Sequence, residues 1–198
     1  MPKTKGDALT IEPRASDSRL APGVPPSQAS AGANLLFLRE DEIRAAQDML
    51  FFAYRDFTGA ADVILDEMGL GRAHHRALHF IGRNAGISVS DLLAILRITK
   101  QSLARVLGEL VERGMVAQVQ GRADRRQRLL TLTESGAALE RRLFERQRER
   151  LVAAYREAGA GPVEGFRRVL RGIMDASARA YLDAGESHLQ AAARDRQG

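Results

Sequence analysis

The sequence predicts a mainly helical fold that contains one small β-hairpin. Apolar residues recur at helical spacing over most of residues 40–184. Two short β-type runs, residues 115–120 and 128–131, interrupt this pattern around a turn rich in arginine. Five of the six prolines lie within residues 1–33, where apolar periodicity is lacking. We therefore expect a helical domain with a hairpin in its middle, preceded by a disordered Pro/Ser-rich tail.

The first predicted helix covers residues 40–58. Three acidic residues at its start suit a helix N-terminus, where the helix dipole favours negative charge. One broad apolar face follows, formed by Ile43, Leu50, Phe51, Tyr54 and Phe57. We assign residues 34–70 to this helix and a linker, and expect the helix to support dimerisation.

Three further helices are predicted in residues 71–114. The first spans residues 72–84, and the second spans residues 89–96 with Ser88 as its N-cap. Thr99 then caps a helix that runs to about Arg113 and is closed by Gly114. The last two helices are separated only by the turn Arg97-Ile98-Thr99.

Two long helices are predicted after the hairpin. Thr133 caps the first, which continues to about Ala158. Pro162 lies near the first turn of the second, which runs to about Ala184. One face of the second carries Phe166, Val169, Leu170, Ile173, Ser177 and Tyr181. We assign residues 134–185 to C-terminal dimerisation helices and residues 186–198 to a polar tail.

This order of elements predicts a winged helix-turn-helix. Helix, short helix, three-residue turn, helix and hairpin follow one another within residues 71–133. The predicted fold class is therefore mainly α with a small β-hairpin wing, in which a winged helix-turn-helix DNA-binding domain is flanked by dimerisation helices.

The charge distribution favours the same interpretation. The formal net charge is +5, but residues 97–150 alone carry 13 basic and 7 acidic side chains, a net +6. A local basic excess is typical of a nucleic-acid-binding module. An arginine-rich solvated helix face is the alternative reading of the same counts.

The helix after Thr99 is the candidate recognition helix. Leucines and valines from Leu103 to Val111 recur at i, i+3, i+4, i+7 and i+8 and predict its inner face. Polar residues at its N-terminal, outward side are typical of base and phosphate contacts, although helix caps use the same residue types. These candidate DNA-binding residues are Thr99, Lys100, Gln101, Ser102 and Arg105.

The hairpin turn is the second candidate DNA contact. Arg122, Arg125, Arg126 and Arg128 surround a single acid, Asp124. Like charges packed in one loop repel each other, so their clustering favours a polyanionic partner, and arginine suits a narrow minor groove. We expect the Asp124 carboxylate to pair with the Arg126 guanidinium and orient it. An ordinary solvated turn is the alternative.

These residues resemble the MarR family of transcriptional regulators. Asp124-Arg125-Arg126, then Leu132-Thr133 and Gly136, is similar to the wing signature of that family. Residues 98–116 resemble its recognition helix and the exit into the wing. Residues 51–57 and 71–76 are similar to the PetP-like branch.

The resemblance implies a homodimer whose two wings straddle a palindromic site on double-stranded DNA. It also implies a small aromatic or amphipathic effector bound between the dimerisation helices and the winged helix. Phe51, Tyr54, His75 and Arg76 are the candidate ligand-binding residues, because aromatic groups with a few polar ones are typical of such pockets. An aromatic run at helical spacing is also typical of a core.

A histidine cluster leaves a metal site open. His74, His75 and His79 lie on one predicted helix, and the last two stand at i and i+4. Such a pair can bind a transition metal, but the other ligands of a site are missing from the pattern. We therefore assign no metal and no cofactor, and keep a metal- or haem-responsive regulator, a ligand-pocket lining and simple packing as alternatives.

Several classes of protein are excluded or disfavoured. The sequence contains no cysteine, so disulfides and thiol-based redox sensing are excluded. It lacks an apolar run long enough for a membrane span and an apolar secretory core, so we expect a cytoplasmic protein. Enzyme motifs such as a phosphate-binding glycine loop or a nucleophile elbow are absent, so we expect no catalysis. A non-specific architectural DNA-binding protein is a further alternative.

Overall fold

The computed structural model describes residues 36–121 and 124–195, with side chains described up to Gly185. The chain divides into two compact units, one up to Asp48 and one from Met49. The predicted tail at residues 1–33 lies outside the described residues, and so does Arg122 of the wing.

The described residues form a mainly helical chain with a small antiparallel sheet, which confirms the predicted fold class. After a 3₁₀ turn, Leu36–Leu38, come α1 (Glu40–Glu67), α2 (Arg72–Arg83), β1 (Ile87–Ser88), α3 (Val89–Leu96) and α4 (Lys100–Glu112). The wing strands are β2 (Val116–Gln120) and β3 (Arg128–Leu132). The chain then forms α5 (Glu134–Ala158), α6 (Ala160–Ile173) and α7 (Ala176–Asp195).

The hairpin belongs to a three-stranded sheet with strand order β1-β3-β2. In the wing, Val116 pairs with Leu132 and Gln120 with Arg128. The third strand, β1, pairs Ile87 with Leu130 and was missing from the sequence prediction. Only two residues long, it carries no alternating pattern that a sequence could display.

One hydrophobic core joins α2, α3 and α4 to the sheet and to the ends of α1 and α5 that lie nearest to them. Its fully buried large side chains are Leu65, Leu78, Ile81, Leu92, Leu103, Val106, Leu110, Leu130 and Leu143. The core therefore lies within the helix-turn-helix and holds the wing by its second strand.

The three predicted helix caps are present. The hydroxyls of Ser88, Thr99 and Thr133 each accept a hydrogen bond from the backbone N–H three residues on, at 3.1 Å in every case. Gly114 ends α4 with a φ of 65°, a conformation that most side chains avoid.

Two helix boundaries differ from the prediction. The first helix continues beyond residue 58 to Glu67, because Ala61 and Leu65 extend its apolar face into the core and outweigh the low helix propensity of Gly59. The last predicted helix is two helices, α6 and α7, separated at Met174 and Asp175. The second of them continues to Asp195 rather than ending near Ala184.

No helix in the described part of the chain is both long enough and apolar enough to cross a bilayer.

Candidate nucleic-acid interface

Helix α4 has one buried side and one solvent-exposed side. Leu103, Val106, Leu107 and Leu110 are buried where α4 packs on α2 and β2. Lys100, Gln101 and Arg105 are exposed. Val111, predicted for the inner face, lies at its edge with 38% of its surface exposed. The outward side of α4 is thus polar and basic near its N-terminus.

Two of the predicted contact residues, Thr99 and Ser102, take part in the cap of α4. The Thr99 hydroxyl accepts from the Ser102 backbone N–H and donates to the Ser102 hydroxyl at 2.9 Å. Their hydrogen-bonding capacity is therefore partly committed. Lys100, Gln101 and Arg105 have longer side chains, and Arg105, which is 70% exposed, lies 3.4 Å from Glu109. These three are the residues best placed to reach a ligand in front of α4.

A buried histidine ties α4 to α2. His74 is 6% exposed, and its Nε2 lies 2.8 Å from Glu109 Oε2. Its Nδ1 accepts a hydrogen bond from the Gly71 backbone N–H at 3.0 Å, so Nε2 carries the proton and donates to the carboxylate. Farther along α4, Arg113 donates to the Met68 carbonyl at 2.6 Å. The sequence grouped His74 with metal candidates, whereas its contacts fix the position of α4.

The turn between α3 and α4 has an unusual backbone conformation. Arg97, which caps α3, has φ 50° and ψ 47°. Among the described residues it is the single non-glycine with a positive φ. The carbonyl before it, that of Leu96, accepts a hydrogen bond from Arg76 at 2.8 Å. The turn is therefore held in one conformation by neighbouring groups.

The wing turn is shaped by Asp124. Its Oδ1 accepts a hydrogen bond from the Arg126 backbone N–H at 2.8 Å, and its carbonyl accepts from Gln127 N–H at 3.0 Å. The predicted carboxylate–guanidinium pair between Asp124 and Arg126 is therefore wrong, since a side chain so close in sequence binds the backbone more easily. Gln120 braces the same turn by donating to the Arg125 carbonyl at 2.5 Å.

This arrangement leaves the three described arginines of the wing, Arg125, Arg126 and Arg128, exposed to solvent. Arg126 and Arg128 line a shallow groove between the wing and the start of α3, together with Ser90 and Gln118. Sequence reasoning missed the last two. Gln118 was detectable, because polar residues alternate along β2 and predict an outward face.

The wing is fastened to α4 by the residues that follow it. The Thr133 hydroxyl donates to the Gly114 carbonyl at 2.6 Å while it caps α5. A Cβ on Gly136 would lie 1.9 Å from the Met115 carbonyl oxygen, so only glycine fits there. Thr133 and Gly136, two residues of the wing signature, therefore bring α5 against the exit of α4.

The other two histidines do not form a metal site. His79 Nδ1 lies 3.6 Å from Glu140, and burial lowers the pKa of both His75 and His79 below the ordinary 6.5. Asp62 binds Arg72 at 2.6 Å, and this hydrogen bond lowers the pKa of the carboxyl group. Among the side chains that the structure describes, no group of three His, Asp or Glu residues converges as metal ligands would.

The predicted ligand-binding residues lie in different surroundings. Phe51 and Tyr54 are 64% and 62% exposed, and Arg76 is committed to the Leu96 carbonyl. His75 is half-buried. The hydrogen bond to Asp62 raises the pKa of the exposed Arg72 guanidinium.

Comparisons of sequence with known proteins agree on one family. The sequence profile of the MarR family matches residues 68–127. Over 153 residues the chain is 51% identical to the HTH-type transcriptional regulator PetP of Rhodobacter capsulatus, covering 77% of this chain and 92% of that protein.

Solved structures share the fold. NadR in complex with 4-hydroxyphenylacetate has a TM-score of 0.56 at 22% identity, covering 63% of this chain and 88% of that one. A mutant of MarR from E. coli complexed with operator DNA has a TM-score of 0.54 at 21% identity, covering 71% of this chain and 99% of that one. At these identities both likenesses show the fold.

Proposed function

This chain belongs to the MarR family of winged helix-turn-helix transcriptional regulators, within its PetP-like branch, and from that premise we propose that it binds a palindromic operator as a homodimer. In this proposal α4 reads bases in the major groove, and the wing contacts the minor groove and phosphates. The observation that carries it is the two-sided α4, with Lys100, Gln101 and Arg105 exposed over a buried apolar side.

The chemistry of α4 suits base recognition. The Gln101 amide can pair with both N6 and N7 of adenine, and Lys100 or Arg105 can bind O6 and N7 of guanine. Thr99 and Ser102 lie at the N-terminus of α4, where free backbone N–H groups and the helix dipole favour a phosphate. We therefore assign base contacts to the three long side chains and phosphate contacts to the two hydroxyls.

The chemistry of the wing suits the phosphate backbone and the minor groove. Arg125, Arg126 and Arg128 are exposed, and Arg122 adds a fourth guanidinium in the sequence of the same turn. Asp124 serves this surface by shaping the turn. Phosphate contacts contribute to affinity on every DNA sequence, so wing residues should affect overall affinity more than sequence preference.

The proposed dimer explains apolar surface that remains exposed on the described residues. Within α1, Phe51, Phe52 and Tyr54 are 64%, 56% and 62% exposed. Helix α6 contributes no buried residue, although Val169 and Ile173 are 61% and 62% exposed apolar side chains. Large apolar side chains on two helices favour a partner surface, and a second copy of the chain would place two α4 helices on one duplex.

Binding measurements with two variants test the proposal. Sites enriched from random duplex DNA by the unmodified chain supply the operator, and a scrambled duplex supplies the reference. We expect Gln101→Ala to relax the preference at one base position in each half-site, by about 1–3 kcal/mol. Arg126→Ala should weaken binding to both duplexes and reduce the salt slope by about 1.

Arg179→Ala, which removes an exposed arginine of α7, is the matched control for Arg126→Ala and should leave both affinities unchanged. If neither Gln101→Ala nor Arg126→Ala differs from the unmodified chain, the assigned surface is wrong. Equal affinity of the unmodified chain for both duplexes would favour the architectural alternative.

A small aromatic acid is proposed as an effector on the strength of one local feature. Exposed Phe51 and Tyr54 lie on the same helix as Asp62, whose partner Arg72 precedes the half-buried His75 on α2. Exposed aromatic groups and a cation on neighbouring helices suit a phenolic carboxylate, the chemistry of the 4-hydroxyphenylacetate in the NadR complex. Arg76 would join this set only by releasing the Leu96 carbonyl.

Titration with 4-hydroxyphenylacetate tests the effector proposal. We expect the compound to raise the melting temperature of the chain and to weaken operator binding, and His75→Ala to reduce both effects. Cyclohexylacetate is the control that keeps the carboxylate without the aromatic ring. Absence of a shift with millimolar 4-hydroxyphenylacetate, or an equal shift with cyclohexylacetate, would contradict the proposal.

A further inference from the structure

The turn between α3 and α4 contacts the start of α7, 80 residues farther along the chain. The Arg97 guanidinium places Nη1 at 2.5 Å from Asp175 Oδ2 and donates from Nη2 to the Ser177 hydroxyl at 2.9 Å. The two acceptors are themselves joined, because the Ser177 hydroxyl donates to Asp175 Oδ1 at 2.7 Å. One arginine of the turn is thus held by two groups of the first turn of α7.

A second contact places α7 on the same part of the molecule. The Tyr181 hydroxyl accepts a hydrogen bond from Asn84 Nδ2 at 2.9 Å, and its ring meets Phe80 edge-on with centroids 5.7 Å apart. Ser177 and Tyr181 are four residues apart and therefore lie on one face of α7. This face contacts both the turn before α4 and the end of α2.

The Arg97–Asp175 pair is too exposed to contribute much to stability. Its side chains are 65% and 44% exposed, and exposed pairs contribute about 0–1 kcal/mol. Asp175 is also the cap of α7, since Oδ1 accepts from the Ala178 backbone N–H at 2.9 Å. Because the cap holds the Asp175 carboxylate in one orientation, the ion pair holds the Arg97 guanidinium in one orientation as well.

Arg97 is a sensitive place for such a contact. Its left-handed backbone conformation costs a non-glycine residue about 1 kcal/mol, and the next two residues lead directly into α4. Thr99, the cap of α4, is only two residues away. A change in the backbone at Arg97 would therefore displace the N-terminus of α4, where the proposed base contacts lie.

We propose that Arg97 is a positioning residue for operator recognition: by binding Asp175 and Ser177, it fixes the N-terminus of α4 relative to the C-terminal helical pair α6–α7. The inference rests on the proposed DNA-binding function. The contact of Arg97 with Asp175 and Ser177 lies outside the DNA-facing surface, but the spacing of the two α4 helices in a dimer depends on it. Arg97 itself touches no base in this proposal.

Two asparagine variants separate positioning from a direct phosphate contact. Arg97→Asn keeps a residue that tolerates the left-handed conformation, and Asp175→Asn keeps an N-cap. If Arg97 contacts phosphate, Arg97→Asn weakens binding and Asp175→Asn, which removes a negative charge, leaves binding unchanged or strengthens it. If Arg97 positions α4, both variants weaken binding to the operator.

The experiment measures affinity for an operator enriched by the unmodified chain and for a scrambled duplex, across a salt series. We expect each variant to lose about tenfold on the operator and nothing on the scrambled duplex, with an unchanged salt slope. The double variant should lose no more than either single one, because both remove the same contact. Melting temperatures should match that of the unmodified chain, and Arg179→Gln on exposed α7 surface is the control.

The outcomes distinguish failure of the proposed DNA-binding function from failure of the positioning role of Arg97. An unmodified chain that enriches no sequence contradicts the proposed function and this inference with it. A chain that enriches an operator while Asp175→Asn binds it at least as tightly contradicts the positioning role alone. A reduced salt slope in Arg97→Asn would assign the residue to phosphate instead.

Discussion

Helices α4 and α6 are nearly equal in length, 13 and 14 residues, and both carry apolar residues at helical spacing. In α4 the apolar face is buried by the chain itself, with Leu103, Val106 and Leu110 at 1% exposure or less. In α6 no residue is buried. An amphipathic pattern therefore predicts a helix and the direction of its apolar face, but not which molecule covers that face.

The difference has a physical source in what surrounds each helix. Helix α4 packs on α2 and β2, and Glu109 ties it to α2 through His74. Arg113, which follows α4, donates to the Met68 carbonyl. Helix α6 contacts α5 and forms an ion pair with α7 between Arg171 and Asp183. A DNA-reading helix needs a rigid support from its own chain, whereas a dimerisation helix needs an apolar face that remains open.

The largest expected effect comes from disrupting the packing of α5 against the residues that follow α4. Gly136→Ala places a Cβ 1.9 Å from the Met115 carbonyl, so α5 must move away from the exit of α4. We expect the free energy of unfolding to fall by about 3 kcal/mol or more, measured by urea denaturation. Gly161→Ala in α6 is the control, because no atom lies within 4 Å of its added Cβ. A loss of less than about 1 kcal/mol at Gly136 would contradict the close packing.

A second change addresses the open face of α6. Val169→Glu places a carboxylate on the proposed dimer interface, twice in a symmetric dimer. We expect the dissociation constant of the dimer to rise at least about 30-fold, because burying an unpaired charge costs at least about 2 kcal/mol. Sedimentation velocity over a dilution series measures this.

Val119→Glu is the control for the α6 variant, because Val119 is also exposed, at 53%, but lies on the wing. It should leave the sedimentation coefficient unchanged. Equal oligomeric states for both variants and the unmodified chain would show that the α6 face is not the interface.

The smallest expected effect is the pH dependence of stability that arises from His75 and His79 on α2. Burial lowers the pKa of His75 and of His79 in the folded chain, so the unfolded chain binds protons more readily. Stability is therefore full above the unfolded value of about 6.5 and falls as the pH drops below it. Thermal melting between pH 7.5 and 5.5 should record a decrease, and His75→Gln with His79→Gln should make it shallower. A melting temperature that rises on acidification would contradict this account.

The sequence was informative for features that depend on residue type and neighbouring positions alone. Ser88, Thr99 and Thr133 could be identified as caps because residue type and position before an apolar run determine that role. Strand β1 and the break at Asp175 could not be identified. The first depends on pairing with a distant strand, in which Leu130 is 43 residues beyond Ile87. The second interrupts an apolar pattern that continues from Ile173 to Tyr181.

The candidate site was predictable in composition more than in contacts. The exposed residues of α4 and of the wing follow from helical spacing and charge. The roles of His74 and Asp124 do not, because each depends on a partner whose position the fold decides: Glu109 for the first and a backbone N–H for the second. The sequence around Arg97 likewise indicates only a turn, because its partners, Asp175 and Ser177, lie far along the chain at the start of α7.

Hydroxyl-radical footprinting of the unmodified chain on an enriched duplex tests whether two copies of α4 read the two halves of one operator. We expect two protected patches related by two-fold symmetry, with half-sites about 10 base pairs apart, as two α4 helices in successive major grooves require. A single protected patch would contradict the dimeric arrangement. Uniform protection along the duplex would contradict sequence-specific recognition by α4.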